Sequence, residues 1–244
     1  MAQQEQPITA QPKGRSGVCG VARGLDALAG MDTIIIKQKI NGLTAWEVNN
    51  RYAILSPDAQ YILYLAREQT GSWERECMGS ARAFKIALMD KYGQQELMSY
   101  RRMTDECCED IQFVECSGAR MGKMGRIDQV RTWTTPKFTV QDSNGTVIFN
   151  IKGPMITGSF VGNEVDFDIL SPDCQKVGKI VDFDVSSTDC QKVGKITKLY
   201  RGFLTEFFTD ANSFRLEYPP GIDLKMKGTL LGAVFMLDFT YYES

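Results

Sequence analysis

The chain has 244 residues, a formal net charge of −2 at neutral pH and no histidine. The near balance of charge provides no general attraction to nucleic acid or to an anionic membrane, and we expect no nucleic-acid partner. The lack of histidine excludes Ser-His-Asp and Cys-His nucleophile pairs and His-ligated zinc, which makes an enzyme the least favoured class of function.

Residues 1–24 are rich in glutamine, glycine and other small residues, a composition that predicts a mobile arm. After the arm, short runs typical of β-strands recur between turn signals. These runs are residues 33–39 (TIIIKQK), 51–56 (RYAILS), 60–67 (QYILYLAR), 84–89 (FKIALM), 111–115 (IQFVE), 129–133 (QVRTW), 137–141 (KFTVQ) and 146–152 (TVIFNIK). Hairpin turns are predicted at residues 56–58 (SPD), 91–93 (KYG) and 142–145 (DSNG).

A tandem repeat follows these strands. Residues 165–180 (VDFDILSPDCQKVGKI) and 181–196 (VDFDVSSTDCQKVGKI) match at 13 of 16 positions, and each copy predicts one hairpin. Two copies are too few for a solenoid, so a recent local duplication or a sequence-assembly artefact is the favoured interpretation. Cys174 and Cys190 belong to the repeat and are not interpreted as metal ligands.

The last predicted element is an apolar helix over residues 228–242. Residues 228–237 (GTLLGAVFML) are apolar on every side and lead into Asp238, so the helix must be buried either in protein or in lipid. Ten residues span about 15 Å against a hydrocarbon core of about 30 Å, which favours burial in protein. The pair Gly228 and Gly232 fits a helix-dimer face in lipid or a close approach of strands equally well.

Together these elements predict a mainly β protein. About a dozen strands can close into an antiparallel barrel, which removes the exposed edges of the sheet. A barrel of that size needs filling, and the C-terminal helix is the apolar segment available to fill it. We therefore expect a barrel of about twelve strands that encloses this helix.

The chain resembles the phospholipid scramblases from about residue 25 to residue 243. The match is carried, in order, by LDALAGMDTIIIKQK (25–39), EVNNRYAI (47–54), QYILYLARE (60–68), RECMGSARAF (75–84), TPKF (135–138), IKGP (151–154), VGKITKLYRG (193–202), EFFTDANSF (206–214) and LGAVFMLDFTYYE (231–243). The resemblance implies a tubby-like barrel domain over residues 25–244. For this family the helix is also described as a single membrane span.

The resemblance further implies calcium-triggered, ATP-independent movement of phospholipids between bilayer leaflets. It places the calcium segment at residues 210–223, with candidate ligands at Asp210, Asn212, Phe214, Glu217 and Asp223. Asn212 stands where the family usually has aspartate, Gly221 replaces another acid and Arg215 adds a positive charge. Because calcium prefers several carboxylate oxygens, these changes predict weak affinity.

Two other features of the sequence point to a membrane. The resemblance implies palmitate on cysteine, here at Cys107 and Cys108, and two acyl chains can hold a protein at a bilayer. Acidic residues flank this pair and would be repelled by an anionic leaflet. The following stretch is basic, and we expect lipid headgroups to contact Arg120, Lys123, Arg126 and Arg131, although a solvated strand face explains the same residues.

Two functions therefore compete. In the first, the protein is a scramblase at the plasma membrane, with its barrel kept on the cytoplasmic side by Lys225 and Lys227. Because one short helix offers no polar path for a headgroup, this function requires homo-oligomers or a locally thinned bilayer. In the second, the helix fills the barrel and the protein is a peripheral lipid-binding or signalling adaptor anchored by palmitate. Neither function requires bond chemistry.

Overall fold

The computed structural model describes residues 24–39, 51–69, 83–105, 108–155, 164–172, 176–180, 183–186, 191–199 and 212–242. Within these ranges the chain forms fourteen strands and one α-helix: β1 (Thr33–Lys39), β2 (Arg51–Leu55), β3 (Ile62–Glu68), β4 (Lys85–Met89), β5 (Glu96–Asp105), β6 (Cys108–Gly118), β7 (Gly122–Val130), β8 (Lys137–Asp142), β9 (Val147–Lys152), β10 (Val165–Leu170), β11 (Lys176–Ile180), β12 (Phe183–Ser186), β13 (Lys192–Leu199), β14 (Ser213–Glu217) and α1 (Leu224–Leu237). A short 3-10 helix (Asp26–Leu28) precedes β1, and a π-helical turn (Asp238–Tyr242) continues α1.

Twelve of these strands close into one barrel, as expected from the sequence. Strands β1 to β10 are neighbours in chain order, β13 and β14 follow, and β14 pairs with β1. Every neighbouring pair in the barrel is antiparallel, so each backbone ladder is satisfied and no sheet edge is left.

The alternation of side chains along the strands places the core inside the barrel. In β8, Phe138 and Val140 are buried, whereas Lys137, Thr139 and Gln141 are partly exposed on the other face. The same alternation in β14 buries Phe214 and Leu216. Period-two patterning of this kind lines the interior with apolar side chains, against which a second element must pack.

That second element is α1, which lies inside the barrel. Every residue from Met226 to Leu237 is buried, and the helix contacts β5, β6, β7, β8 and β14. The rings of Tyr52 on β2 and Tyr100 on β5 both pack on Phe235, with centroids 5.0 Å and 5.1 Å away. We call the two ends of the barrel the Asp223 end, where α1 begins, and the Asp238 end, where it stops.

The predicted helix, residues 228–242, differs from the observed one in its bounds. The α-helix begins at Leu224, four residues earlier, because Asp223 caps it: the Asp223 side chain accepts a hydrogen bond of 2.7 Å from the backbone N–H of Met226. Its regular part ends at Leu237, and the predicted remainder is the π-helical turn.

The tandem repeat is divided between two sheets. The first half of copy one forms β10 and the second half of copy two forms β13, and these two strands pair directly in the barrel. The residues between them form β11 and β12, which pair only with each other, as a two-stranded sheet separate from the barrel. Cys174 and Cys190 lie outside the described residues.

The strand predictions were right at most places and wrong at one. The run 33–39 is β1, and the three predicted turns connect β2 to β3, β4 to β5 and β8 to β9. The run 129–133 is wrong, because β7 ends at Val130 and Trp133 lies 83% exposed in the next loop. The predicted arm, residues 1–24, lies outside the described residues except for Gly24.

Candidate functional site

The interior of the barrel at the Asp223 end is built around a buried lysine. Lys227 donates from Nζ to the carbonyl oxygens of Leu28 at 2.9 Å and Met31 at 2.6 Å. These two hydrogen bonds tie the segment before β1 to the helix. Burial lowers the pKa of this ammonium group, and the nearby Asp32 acts in the opposite direction. The lysine therefore has a structural role rather than an exposed position in front of a membrane span.

The middle of the helix is held by close packing against β5 and β6. The hydroxyl of Tyr100 donates to the carbonyl oxygen of Gly228 at 2.9 Å. A Cβ at Gly232 would lie 2.8 Å from the Tyr100 ring and 2.9 Å from Cys116 Sγ, and one at Gly228 would lie 2.7 Å from a neighbouring methionine sulfur. The two glycines therefore allow the strands of the barrel to approach the helix closely. This is the second alternative for the glycine pair, in which it packs against strands and not against another helix in lipid.

A hydrogen-bonded group closes the Asp238 end. The buried carboxylate of Asp238 accepts from the hydroxyl of Tyr52 at 2.7 Å and from the side-chain amide of Asn212 at 2.8 Å. The same amide donates to the carbonyl oxygen of Tyr242 at 3.2 Å. A carboxylate with two such donors is tolerated inside a protein, and here it joins the end of the helix to β2 and β14.

The candidate calcium ligands are not brought together. Asn212 is bound to Asp238 at one end of the barrel, whereas Asp223 caps the helix at the other, about 20 Å away over a helix of this length. The Phe214 ring is buried inside, and Glu217 ends β14, with its carboxylate 3.9 Å from Lys195. Asp210 lies outside the described residues.

These four described positions therefore do not fit one calcium ion, which needs six to eight converging oxygens. Within the described ranges, no three Cys, Asp or Glu side chains are grouped in a way that would hold a metal ion. Calcium binding stays a prediction from the resemblance, without a ligand set in the described structure.

The predicted lipidation site falls at a hairpin. Strand β5 ends at Asp105 and β6 begins at Cys108, so the connection lies at the Asp238 end of the barrel. Cys107 is outside the described residues, as is the side chain of Cys108. Cys116, on the same strand, is buried against the helix, and burial raises the pKa of its thiol, which makes it unreactive.

The four predicted headgroup contacts do not form one cluster. Arg120 and Lys123 are exposed at the turn between β6 and β7, near the Asp223 end, and Arg131 follows β7 about 26 Å further along the strand direction. Arg126 lies between them, bound to Asp128 at 2.5 Å and stacked on the Phe113 ring at 3.7 Å. Of these four residues, Arg120 and Lys123 are both exposed and lie near each other at the turn between β6 and β7.

The sequence interpretation missed the partners of Asp238. Tyr52 lies in an apolar strand, where its ring alone explains its presence, and nothing in the sequence indicates that its hydroxyl meets a residue 186 positions away. For Asn212 the resemblance predicts only a ligand position, and the bond to Asp238 has no counterpart in that prediction. Among the residues that the structure describes, no helix combines the length and apolar character needed to cross a bilayer.

Comparison with known proteins places the chain in a family. The family model described as Scramblase matches residues 14–182 and 174–244, two ranges that overlap within the tandem repeat. Phospholipid scramblase 1 of Homo sapiens is 34% identical over 232 residues, which are 91% of this chain and 66% of that protein. Phospholipid scramblase 2 of Homo sapiens is 32% identical over 90% of this chain and 70% of that protein. Phospholipid scramblase 1 of Mus musculus is 30% identical over 90% of this chain and 64% of that protein.

The chain thus spans just under two thirds of the length of the first of these relatives. No solved structure matches it. The resemblance drawn from the sequence is confirmed, because the family model covers nearly the whole chain and the relatives named above are each at least 30% identical. The chain belongs to the scramblase family.

Proposed function

We propose that the protein acts on phospholipid membranes as a scramblase, moving lipids between leaflets down their gradient and without ATP. The observation that supports this proposal is the family match over residues 14–244, together with relatives that are named phospholipid scramblases. Downhill movement needs no energy source, because the barrier to flip-flop is the passage of an unsatisfied polar headgroup through hydrocarbon.

The enclosed helix limits how such an activity can work. With Leu230 to Leu237 buried against the barrel wall, α1 does not offer a surface along which a headgroup could cross. In this proposal the protein instead acts from the membrane surface, by thinning or distorting the bilayer locally or by assembling several copies around a lipid path.

The proposal places the barrel at the cytoplasmic face of the plasma membrane, held there by acyl chains on Cys107 and Cys108. The described strand ends on either side of Cys107, at Asp105 and Cys108, lie at the Asp238 end of the barrel, and attachment through that end is what we propose. Calcium enters as a stimulus to be tested in solution, since the candidate ligands do not converge in the described structure.

A second function is favoured by one specific observation. Because α1 completes the barrel core, its apolar surface is covered by protein rather than by lipid. The same protein can then serve as a peripheral lipid-binding or signalling adaptor that is anchored by palmitate and transports nothing.

Reconstitution of the purified chain into liposomes that carry a fluorescent phospholipid distinguishes the two functions. A membrane-impermeant quencher is added outside, with and without calcium and with and without ATP, and protein-free liposomes serve as the control. A scramblase makes the inner-leaflet label accessible without ATP. An adaptor binds the liposomes but leaves the inner label protected.

The attachment is tested separately in cells. Cys107→Ser/Cys108→Ser is expected to release the protein from membranes, and hydroxylamine, which cleaves thioesters, should release the wild type. Retention of the double variant at the membrane would show that acylation of these two residues is not the anchor.

A further inference from the structure

The strands of the tandem repeat share one continuous register. In the barrel, Phe167 on β10 lies opposite Ile196 on β13, and in the separate sheet Ile180 on β11 lies opposite Phe183 on β12. Both pairs are centred on the same point of the sequence, between residues 181 and 182. Strands β10 to β13 therefore form one long hairpin, of which β11 and β12 are the outer part.

The outer part of this hairpin is joined to the barrel in register. The register shifts by one residue within β10–β13 and shifts back within β11–β12. Between the two sheets, the backbone N–H of Ser171 donates to the carbonyl oxygen of Gln191 at 2.9 Å. We call residues 171–191 the hairpin arm. The arm leaves the barrel at the Asp223 end, where β13 begins and β14 ends.

The tip of the arm has a sequence that does not favour a tight turn. Because Ile180 is paired with Phe183, only Val181 and Asp182 remain to connect the two strands. Two-residue hairpin connections need a positive φ at their first position, where glycine, asparagine and aspartate are favoured and a β-branched residue such as valine is an outlier. Val181 and Asp182 lie outside the described residues, but the register leaves a connection of two residues in any case.

The tight turns of the barrel wall are built differently. The turns between β4 and β5 and between β8 and β9 each carry a glycine with a positive φ, of 69° at Gly93 and 84° at Gly145. Valine instead favours the extended conformation of a strand. Residues 181 and 182 can continue a strand only when a second chain takes over the pairing of β11 and β12.

We propose that the chain forms a two-fold dimer by exchanging residues 183–244 between two copies, with the hairpin arm open at residues 181 and 182. In the open arm, β11 of each copy pairs with β12 of the other, in the register that the structure shows within one chain. Short connections that close poorly invite such exchange, which is a low-cost route to a dimer. The dimer forms in solution without lipid, and so goes beyond the proposed function.

The exchanged part brings its own packing to the second copy. Residues 183–244 carry β12, β13, β14 and α1. Each barrel of the dimer then contains β1 to β10 of one copy and β13, β14 and α1 of the other, so that the hydrogen bond from Tyr52 to Asp238 joins two chains. The described contacts of the monomer are kept, and only the two-residue connection changes.

A second copy fits the open arm better than an unrelated partner does. The repeat places the same strand sequences in the arm and in the barrel, with Lys179 opposite Asp184 in the arm just as Lys195 is opposite Asp168 in the barrel. Opposite charges that face each other across strands favour pairing. Two open arms are related by a two-fold axis through their centre, which closes the assembly at a dimer.

The first test is the mass of the full chain in solution, measured by light scattering after size-exclusion chromatography. The protein is unfolded in urea and refolded at low and at high concentration, because exchange requires the barrel to open. Wild type should give a dimer whose fraction rises with the refolding concentration. The turn variant, Val181→Asn/Asp182→Gly, supplies the residues that a two-residue turn favours and should lower the dimer fraction at least about tenfold.

Two further variants control this test. Val181→Ala/Asp182→Ala changes the same residues without supplying turn formers, and it should dimerise as wild type does. Deletion of residues 181–196 removes one copy of the repeat together with the two-residue connection, and it should give a monomer.

A disulfide across the barrel wall shows whether the paired strand comes from the same chain. Asp168 and Lys195 lie directly opposite each other, on the two sides of the connection that opens. Their Cα atoms are then about 4.5–5.5 Å apart, within the range of a disulfide. In the dimer of Asp168→Cys/Lys195→Cys, mild oxidation should link two chains on a non-reducing gel. The matched control, Thr139→Cys/Asn150→Cys, joins β8 to β9 on one side of the connection and should link within one chain.

Three outcomes overturn the inference: wild type stays monomeric at every refolding concentration, the turn variant dimerises as wild type does, or the disulfide at positions 168 and 195 forms within one chain of the dimer. The last would mean that the copies meet through another surface. Thermal unfolding of the turn variant should give a melting temperature at or above that of wild type, which separates loss of exchange from loss of folding. An exchanged dimer that leaves inner-leaflet label protected keeps this inference and rejects the proposed scrambling activity.

Discussion

Asn212 has one role according to the family resemblance and a different, incompatible role in the structure. The family resemblance makes it a calcium ligand at a position that is usually aspartate. The structure makes its neutral amide the donor to Asp238, and this bond needs the amide hydrogen that an aspartate lacks. At this residue the chain carries a neutral hydrogen-bond donor, which suits a buried neighbour that is already acidic.

Asn212→Asp is therefore expected to destabilise the protein by about 2 kcal/mol, because a second carboxylate would face the buried one. Urea unfolding measures the change, and Asn144→Asp in the exposed turn between β8 and β9 is the control, with an effect within about 0.5 kcal/mol. Adding calcium should not restore the stability of Asn212→Asp. Full restoration would instead support a calcium site at this end of the barrel.

Gly232 is a second residue at which one substitution is informative. A methyl group added there tests whether the helix lies inside the barrel. Gly232→Ala should cost about 1–2 kcal/mol, since the added Cβ would press on Tyr100 and Cys116 while the alanine regains some helix propensity. Gly30→Ala is the matched control, because nothing lies within 4 Å of a Cβ there. Equal stability of the two variants would contradict a helix packed inside the barrel.

At the scale of elements, the repeat is the feature that sequence and structure describe differently. The sequence presents two equivalent hairpins. The barrel instead pairs the first strand of one copy with the last strand of the other, and leaves β11 and β12 as a separate pair. Since the two copies are nearly identical, the remaining copy can supply the same residues to the barrel when the other is removed.

Deletion of residues 181–196 should leave the barrel folded, with β11 taking the position of β13 beside β10. Circular dichroism and thermal unfolding should give a spectrum and a melting temperature within a few degrees of wild type. Deletion of residues 137–152, which are also sixteen residues but form β8 and β9 of the closed wall, should abolish cooperative unfolding. Loss of folding in the first deletion would show that the extra hairpin is required.

At the scale of the whole molecule, enclosing the helix buries phenol and thiol groups that ionise in alkaline solution. Burial raises the pKa values of Tyr64, Tyr100, Tyr218 and Cys116. In the unfolded chain the thiol loses its proton at about pH 8.5, and the phenols lose theirs at about pH 10. Above those values the folded state holds more protons than the unfolded state, so stability falls as the pH rises.

The free energy of unfolding should therefore be nearly constant between about pH 6 and about pH 8, then decrease, and decrease more steeply above about pH 10. Lys37 and Lys227 oppose this trend, because burial lowers the pKa of each, but the groups whose pKa is raised outnumber these two. Urea titrations across this range measure the curve. Cys116→Ala should remove the first part of the decrease, and a flat curve up to about pH 11 would mean that the phenols are not buried.

Local residue patterns determined much of the fold. The apolar runs with Asn-Gly and Pro-Asp turns placed β1, β2, β8 and β9, because hydrophobic alternation and turn chemistry act over a few residues. The all-round apolar segment after Gly228 required a buried helix, and its short length pointed to the barrel interior. Strands β5 and β7 were harder to predict, since Arg102 points inward in one and glycines and charges interrupt the other.

The candidate site, by contrast, was decided by tertiary structure alone. Only closure of the barrel brings Tyr52 to Asp238 and separates Asn212 from Asp223. Each of these relations joins residues far apart in the chain, and register between strands sets them through the whole barrel rather than through any local motif. The sequence therefore determined that this protein is a barrel with a buried helix, and the tertiary structure decided which polar groups that barrel brings together.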